Sequence, residues 1–153
     1  MVNVKIFLIT LLLLIFVGDS VQARHSTENE IKMSLSYSVE SVRKTDNYRA
    51  YVLKEKFDYQ KVLQQKKVCT EESAILKAIR EEGSIGGNEA ATCLALAYLI
   101  VELRRQVLTN FIDGLNAHVN GNMTEFEYYT NEYIDNYKNA DKWRIEFKTR
   151  YGY

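Results

Sequence analysis

The sequence predicts an all-α fold: an antiparallel four-helix bundle, its first segment either one long bent helix or two shorter ones, stapled by one disulfide. Three observations lead there. Proline is absent, and beyond residue 23 glycine occurs only at Gly83, Gly86, Gly87, Gly114, Gly121 and Gly152, so long helices meet few breakers. Apolar residues recur at steps of three and four, the period of an amphipathic helix, not in the alternation of a strand. Finally, the run from Asn88 to Val119 is apolar almost all round near its start, from Ala90 to Val101. A helix of that kind is covered from several sides, and the more polar remainder of the chain supplies the cover.

Residues 1–23 read as a cleaved secretion signal. Lys5 gives a positive start, Ile6 to Val17 form an apolar run, and Val21-Gln22-Ala23 is a small-x-small cleavage site. The run is shorter than the roughly 20 apolar residues of a membrane span. Residues 24–153 are then a single secreted helical domain of roughly 130 residues, enough for one core. The leader holds one Lys and one Asp, so the remainder keeps the neutral balance of the whole. A neutral, mixed-charge chain has no basic footprint for nucleic acid and no membrane span once the leader is gone.

The first element lies within 28–67 and is either one long bent helix or two shorter ones. Thr27 with Glu30 matches a capping box. Ile31, Leu35, Val39 or Ser38, and Val42 follow at helical steps, and Tyr51, Val52, Phe57 and Leu63 continue them. Thr45-Asp46-Asn47 is the expected break, because Asp and Asn offer the backbone competing hydrogen bonds. Thr70 reads as the N-cap of a short second helix over 70–82, with Glu71 and Glu72 favoured by the helix dipole. Gly83 to Gly87 stop it. Asn88 caps the central helix, 88–119, and Asn116 to Met123 form the next turn. The last helix, 124–149, carries Phe126, Tyr129, Tyr133, Tyr137, Ala140 and Phe147 in one stripe with Trp143 beside it, the face expected to pack on the central helix. The eleven tyrosines of the chain suit helices that bury ring bodies while hydroxyls reach water.

Cys69 and Cys93 are the two cysteines, and in an oxidising compartment one bond between them is expected. It would close a loop of about 25 residues and stabilise by about 3 kcal/mol in the chain-entropy picture. Asn122-Met123-Thr124 is a glycosylation sequon in the turn before the last helix, so Asn122 is expected to carry a glycan, to cap that helix, or both. Arg43-Lys44, beside the expected break, is the most accessible dibasic pair. Glu102 with Arg105 and Gln106 reads as a surface pair.

No nucleophile–base spacing, metal-ligand spacing or phosphate loop is recognisable. His25 sits near the new N-terminus and His118 near a helix end. The glycines after residue 82 lack the Lys-Ser/Thr of a phosphate loop. The sequence thus predicts a protein that is not an enzyme and takes no cofactor. It would bind an unidentified extracellular protein or receptor through the outer side of the last helix, where Tyr128, Asn131, Asp135, Asn139 and Lys142 are expected to project. The alternatives are a carrier of a small lipophilic ligand in the core, near Leu99 and Tyr133, and a secreted enzyme inhibitor.

Cys93-Leu94 followed by Tyr98 and Glu102-Leu103, in a secreted bundle with a cysteine bridge between consecutive helices, resembles plant pectin-methylesterase and invertase inhibitors. The chain lacks that family's N-terminal cysteine pair and its Tyr and Glu-Leu spacing is displaced, so the activity does not carry over. The leader, compact helical body and single cysteine pair are together similar to small insect seminal-fluid proteins of the male accessory gland. That resemblance implies an extracellular reproductive factor acting through a partner.

Overall fold

The structure is a computed structural model that describes residues 28–52, 57–82 and 89–153. The secretion signal, the Thr27 capping residue, the glycine stop and the Asn88 cap lie outside the described residues. Within them the chain is all-α: α1 (Glu28–Thr45), α2 (Tyr48–Val52), α3 (Tyr59–Glu82), α4 (Glu89–Val119) and α5 (Met123–Tyr151).

Helix α4 is the hub and touches each of the others. It runs antiparallel to α3, since Ser73 bonds Glu102 while Arg80 lies over the Tyr98 ring further back along α4. It is also antiparallel to α5: His118 meets Phe126, Phe111 meets Tyr133, and Glu89 pairs with Arg150. Helix α1 is antiparallel to α3, with Tyr37 reaching Glu72 and Gln65 reaching the Lys44 carbonyl. The four long helices therefore alternate in direction. The apolar start of α4 explains this placement: Ala90, Leu94, Ala97, Ile100 and Val101 are almost fully buried. At about 25 cal/mol per Å² of apolar surface removed from water, this segment supplies the largest share of the folding drive.

The first segment breaks where the sequence expects, after Thr45. The rest of that reading needs correction. Helix α3 does not start at Thr70; it begins at Tyr59, and Asp58 caps it, its Oδ1 accepting from the amides of Gln60 and Lys61 at 3.1 and 3.2 Å. Thr70 lies inside the helix, its hydroxyl donating back to the Lys66 carbonyl at 2.9 Å. Helix α4 ends at Val119, as expected, and the turn after it is only Asn120-Gly121-Asn122 instead of the expected 116–123. Gly121 has φ +73, its amide bonds the His118 carbonyl, and the Asn122 amide bonds that of Ala117. This is a Schellman closure, which needs the left-handed backbone that glycine adopts without a Cβ penalty. Asn122 then caps α5, its side chain accepting from the Glu125 amide at 3.2 Å.

The expected Cys69–Cys93 disulfide is contradicted: both cysteines are free and buried, and they belong to different halves of the core. The antiparallel register of α3 on α4 is the reason. Ser73 lies level with Glu102, so Cys69, one turn earlier, lies a turn further along α4. From there to the level of Cys93 is roughly a dozen residues, or about 20 Å at 1.5 Å per residue. Disulfides need Cα atoms within about 7 Å.

Candidate interaction surface

Helix α1 is held to its neighbours by polar groups more than by apolar ones. Its buried face is Ser34, Ser38, Ser41, Val42 and Thr45, while Leu35 and Val39, expected in the core, are only half-buried. Two of the buried hydroxyls satisfy themselves: Ser38 donates to the Ser34 carbonyl at 2.7 Å and Thr45 to that of Ser41 at 3.0 Å. Small residues of this kind let two backbones approach closely.

Glu72 collects the α1–α3 seam. Its side chain is 9% exposed and accepts from Tyr37 at 2.9 Å, from Ser41, and from Lys44 at 3.1 Å. Burial pushes its carboxyl up, but the three donors outweigh it and leave the group below its ordinary value of 4.5. Lys44, half of the dibasic pair, is thereby engaged in the last turn of α1. The Glu102 pair is likewise less superficial than expected. Glu102 is 13% exposed in its side chain, pairs with Arg105 at 2.5 Å and accepts from Ser73.

Arg104 carries a role that local sequence gives no hint of. It is fully buried, and its guanidinium donates to the Val42 carbonyl at 2.5 Å, the Thr45 hydroxyl at 2.7 Å and Asp46 Oδ1 at 2.7 Å. It also sits 5.2 Å from the Tyr48 ring centre. The last carbonyls of a helix have no partner within it, so the C-terminus of α1 is closed by a cation from α4. Its neighbour in the core, Cys69, is a thiol that burial pushes up to about 12, and burial does the same to Cys93. Thiolate chemistry at neutral pH is thus suppressed at both.

Helix α5 lies along α4 over its length. The expected aromatic stripe does pack inward: Tyr133 rests on Phe111, Phe147 and Ala140 are fully buried, and Tyr137 stands against Tyr48 with its hydroxyl accepting from Arg49 at 3.1 Å. Tyr128, Asn131, Asp135, Asn139 and Lys142 are all exposed, as the period of 100° per residue requires. Tyr128 is 40% exposed with its ring edge-on to Tyr129, and the Lys142 ammonium lies 5.2 Å from the Trp143 ring centre. Both ends of the helix are tied down, by the Asn122 cap and by the Arg150–Glu89 pair at 2.7 Å.

At the tip where α4 turns into α5, a hollow of ≈ 320 Å³ is lined by Met123, Phe126, Glu127, Thr130 and Asn131. A second, of ≈ 190 Å³, is lined by Asn110, Phe111, Gly114, Leu115, Phe126, Thr130 and Tyr133. Of the two residues near which the lipophilic carrier would hold its ligand, Tyr133 lines the second hollow, and Leu99 lines neither. Among the described residues no three His, Cys, Asp or Glu side chains gather as metal ligands, and no helix is long and apolar enough to cross a membrane. Sequence reasoning missed two further features. Arg104 is set by a non-local partner. Met123, Ile134 and Ile145 are exposed at 57%, 39% and 54% on α5 itself, and their common spacing of eleven residues was the available signal. No family model, curated protein or solved structure matches this chain.

Proposed function

We propose that this protein is a secreted, non-enzymatic antiparallel four-helix bundle that binds an extracellular macromolecule through the outer side of α5. The observation that carries this reading is the uncovered row of Tyr128, Asn131, Asp135, Asn139 and Lys142 on a helix fixed at both ends. Tyrosine offers a large contact area with little entropy to lose, and polar neighbours at helical spacing supply directional bonds. A pinned helix presents them without an ordering cost. The Asn122 sequon fits secretion: a glycan would be attached through Nδ2, leaving Oδ1 free to cap α5. The resemblance to seminal-fluid proteins supports a reproductive role, with a receptor or another extracellular protein as the partner.

The test is to substitute all five outer residues with alanine and measure binding to cells or fluid proteins of the source tissue. Binding should be lost while helicity and melting temperature barely change. Full activity in that variant, together with loss of activity on enlarging Leu99 in the core, would replace this reading with the lipophilic carrier.

A further inference from the structure

We propose that the protein pairs with a second copy of itself along the flank of α5 that carries Met123, Ile134 and Ile145, the two helices running antiparallel. Single exposed apolar side chains are ordinary on a protein surface. These three are in register. Eleven residues make three helical turns, about 16 Å, and return to within about 20° of the same face. Ile134 is equidistant from the other two, so in an antiparallel pair centred on Ile134 it meets its own copy, and Met123 meets the second copy's Ile145 at both ends. Such an interface is closed by one two-fold axis, the commonest symmetry of soluble oligomers.

The charges along α5 select the same partner in the same direction. From Met123 to Asn136 the helix holds Glu125, Glu127, Glu132 and Asp135 and no Lys or Arg, whereas from Tyr137 to Tyr151 it holds Lys138, Lys142, Arg144, Lys148 and Arg150 against Asp141 and Glu146. Asp141 is already neutralised at home by Arg49 and Arg144, at 3.2 and 2.9 Å. None of the four acids of the first half enters an ion pair among the described residues, and Glu127 is the one of them beside the stripe, since Glu125 and Glu132 point about 160–180° away from it and Asp135 about 100°. A parallel pair would set acid on acid. The antiparallel pair brings Glu127 beside the second copy's Lys142 and Asn131 beside its Lys138, twice over, around the apolar stripe. Tyr128, Asp135 and Asn139 point about 100° further round the helix. They stay outside the seam, whereas Asn131 and Lys142 of the outer row border it, so a dimer would present only the Tyr128, Asp135 and Asn139 part of that row twice, with the gain in avidity that bivalence gives.

The whole secreted protein is examined by sedimentation velocity from micromolar to sub-millimolar concentration. A dimer is expected, weakened by added salt. Glu127→Lys should raise its dissociation constant roughly tenfold, and adding Lys142→Glu should restore it. Ile134→Cys should form a covalent dimer on a non-reducing gel, because only that residue of the stripe meets itself. A protein monomeric throughout, or a dimer indifferent to both the charge swap and the cysteine, would overturn the proposal. So would a monomer that captures an unrelated amphipathic helix on this stripe. A monomer that still binds its extracellular partner through Tyr128 and its neighbours would overturn the pairing and leave the function proposed above standing.

Discussion

Replacing Arg104 with alanine should cost about 3 kcal/mol of folding stability, a large fraction of the 5–15 kcal/mol typical of a native domain. The figure follows from what each contact leaves behind. The Val42 carbonyl and Thr45 hydroxyl lose a charged donor, worth about 1.5–3 kcal/mol for a bond to a charged group. Thr45 still donates to the Ser41 and Val42 carbonyls at 3.0 and 3.2 Å, so neither oxygen is wholly orphaned and the lower end applies. Loss of the contact with the Tyr48 ring adds about 1 kcal/mol, and the void left by the aliphatic stem adds a similar amount. Asp46, 35% exposed, is rehydrated, so the ion pair itself contributes little. Arg104→Lys should cost about 1–2 kcal/mol, since a point charge cannot span the same acceptors, and Asp46→Asn about 0.5 kcal/mol. Urea unfolding followed at 222 nm measures all three. A loss below 1 kcal/mol for Arg104→Ala, or an Asp46→Asn cost equal to it, would refute the view that Arg104 acts mainly as the cap of α1.

Four further outcomes follow from particular contacts. Unreduced mass spectrometry should find no cross-link between Cys69 and Cys93, and alkylation in native buffer should be slow, becoming rapid only in denaturant. For Glu72→Gln, the stability deficit should be present above pH 4.5, the ordinary value, and shrink as acid protonates the native carboxylate below it; urea midpoints across pH show this. Gly114→Ala should stabilise by about 0.5–1 kcal/mol, because an added Cβ meets only the Tyr129 Cβ at an ordinary 3.5 Å; thermal melts are sufficient. Asn122→Ala should cost about 1 kcal/mol as a lost cap, while Thr124→Ala, which removes only the sequon, should cost almost nothing, and both should remove the same mass from a glycosylated product.

Where a helix carries its own start and stop, the sequence reveals it. The apolar run of α4 and the Asn122 cap place α4 and α5 to within a residue or two, and the orientation of the outer α5 residues follows from the helical period alone. Helix α3 was harder because Gln65 stands in its buried face between Val62 and Cys69, which blurs the apolar stripe. Thr70 followed by two acids imitates a start, whereas the operative cap is Asp58. The disulfide expectation came from compartment chemistry, which knows nothing of helix register. With Ser73 level with Glu102, an antiparallel α3 sets Cys69 about 20 Å from Cys93 along α4 wherever α3 begins. Arg104 and Glu72 were illegible for a different reason. Each answers groups on α1 some 30 to 60 residues away, and nothing local marks a charge as buried.

Hydroxyl-radical footprinting with mass spectrometry reads side-chain exposure directly, and so tests whether α5 is the working surface. In the dilute, purified protein, Tyr128 on α5 and Met33 on α1, which is 69% exposed, should both oxidise. In the fluid or receptor-bound state Tyr128 should become protected while Met33 continues to oxidise at its free rate. Protection of Met33 with Tyr128 unchanged would contradict the account and move the binding surface to α1.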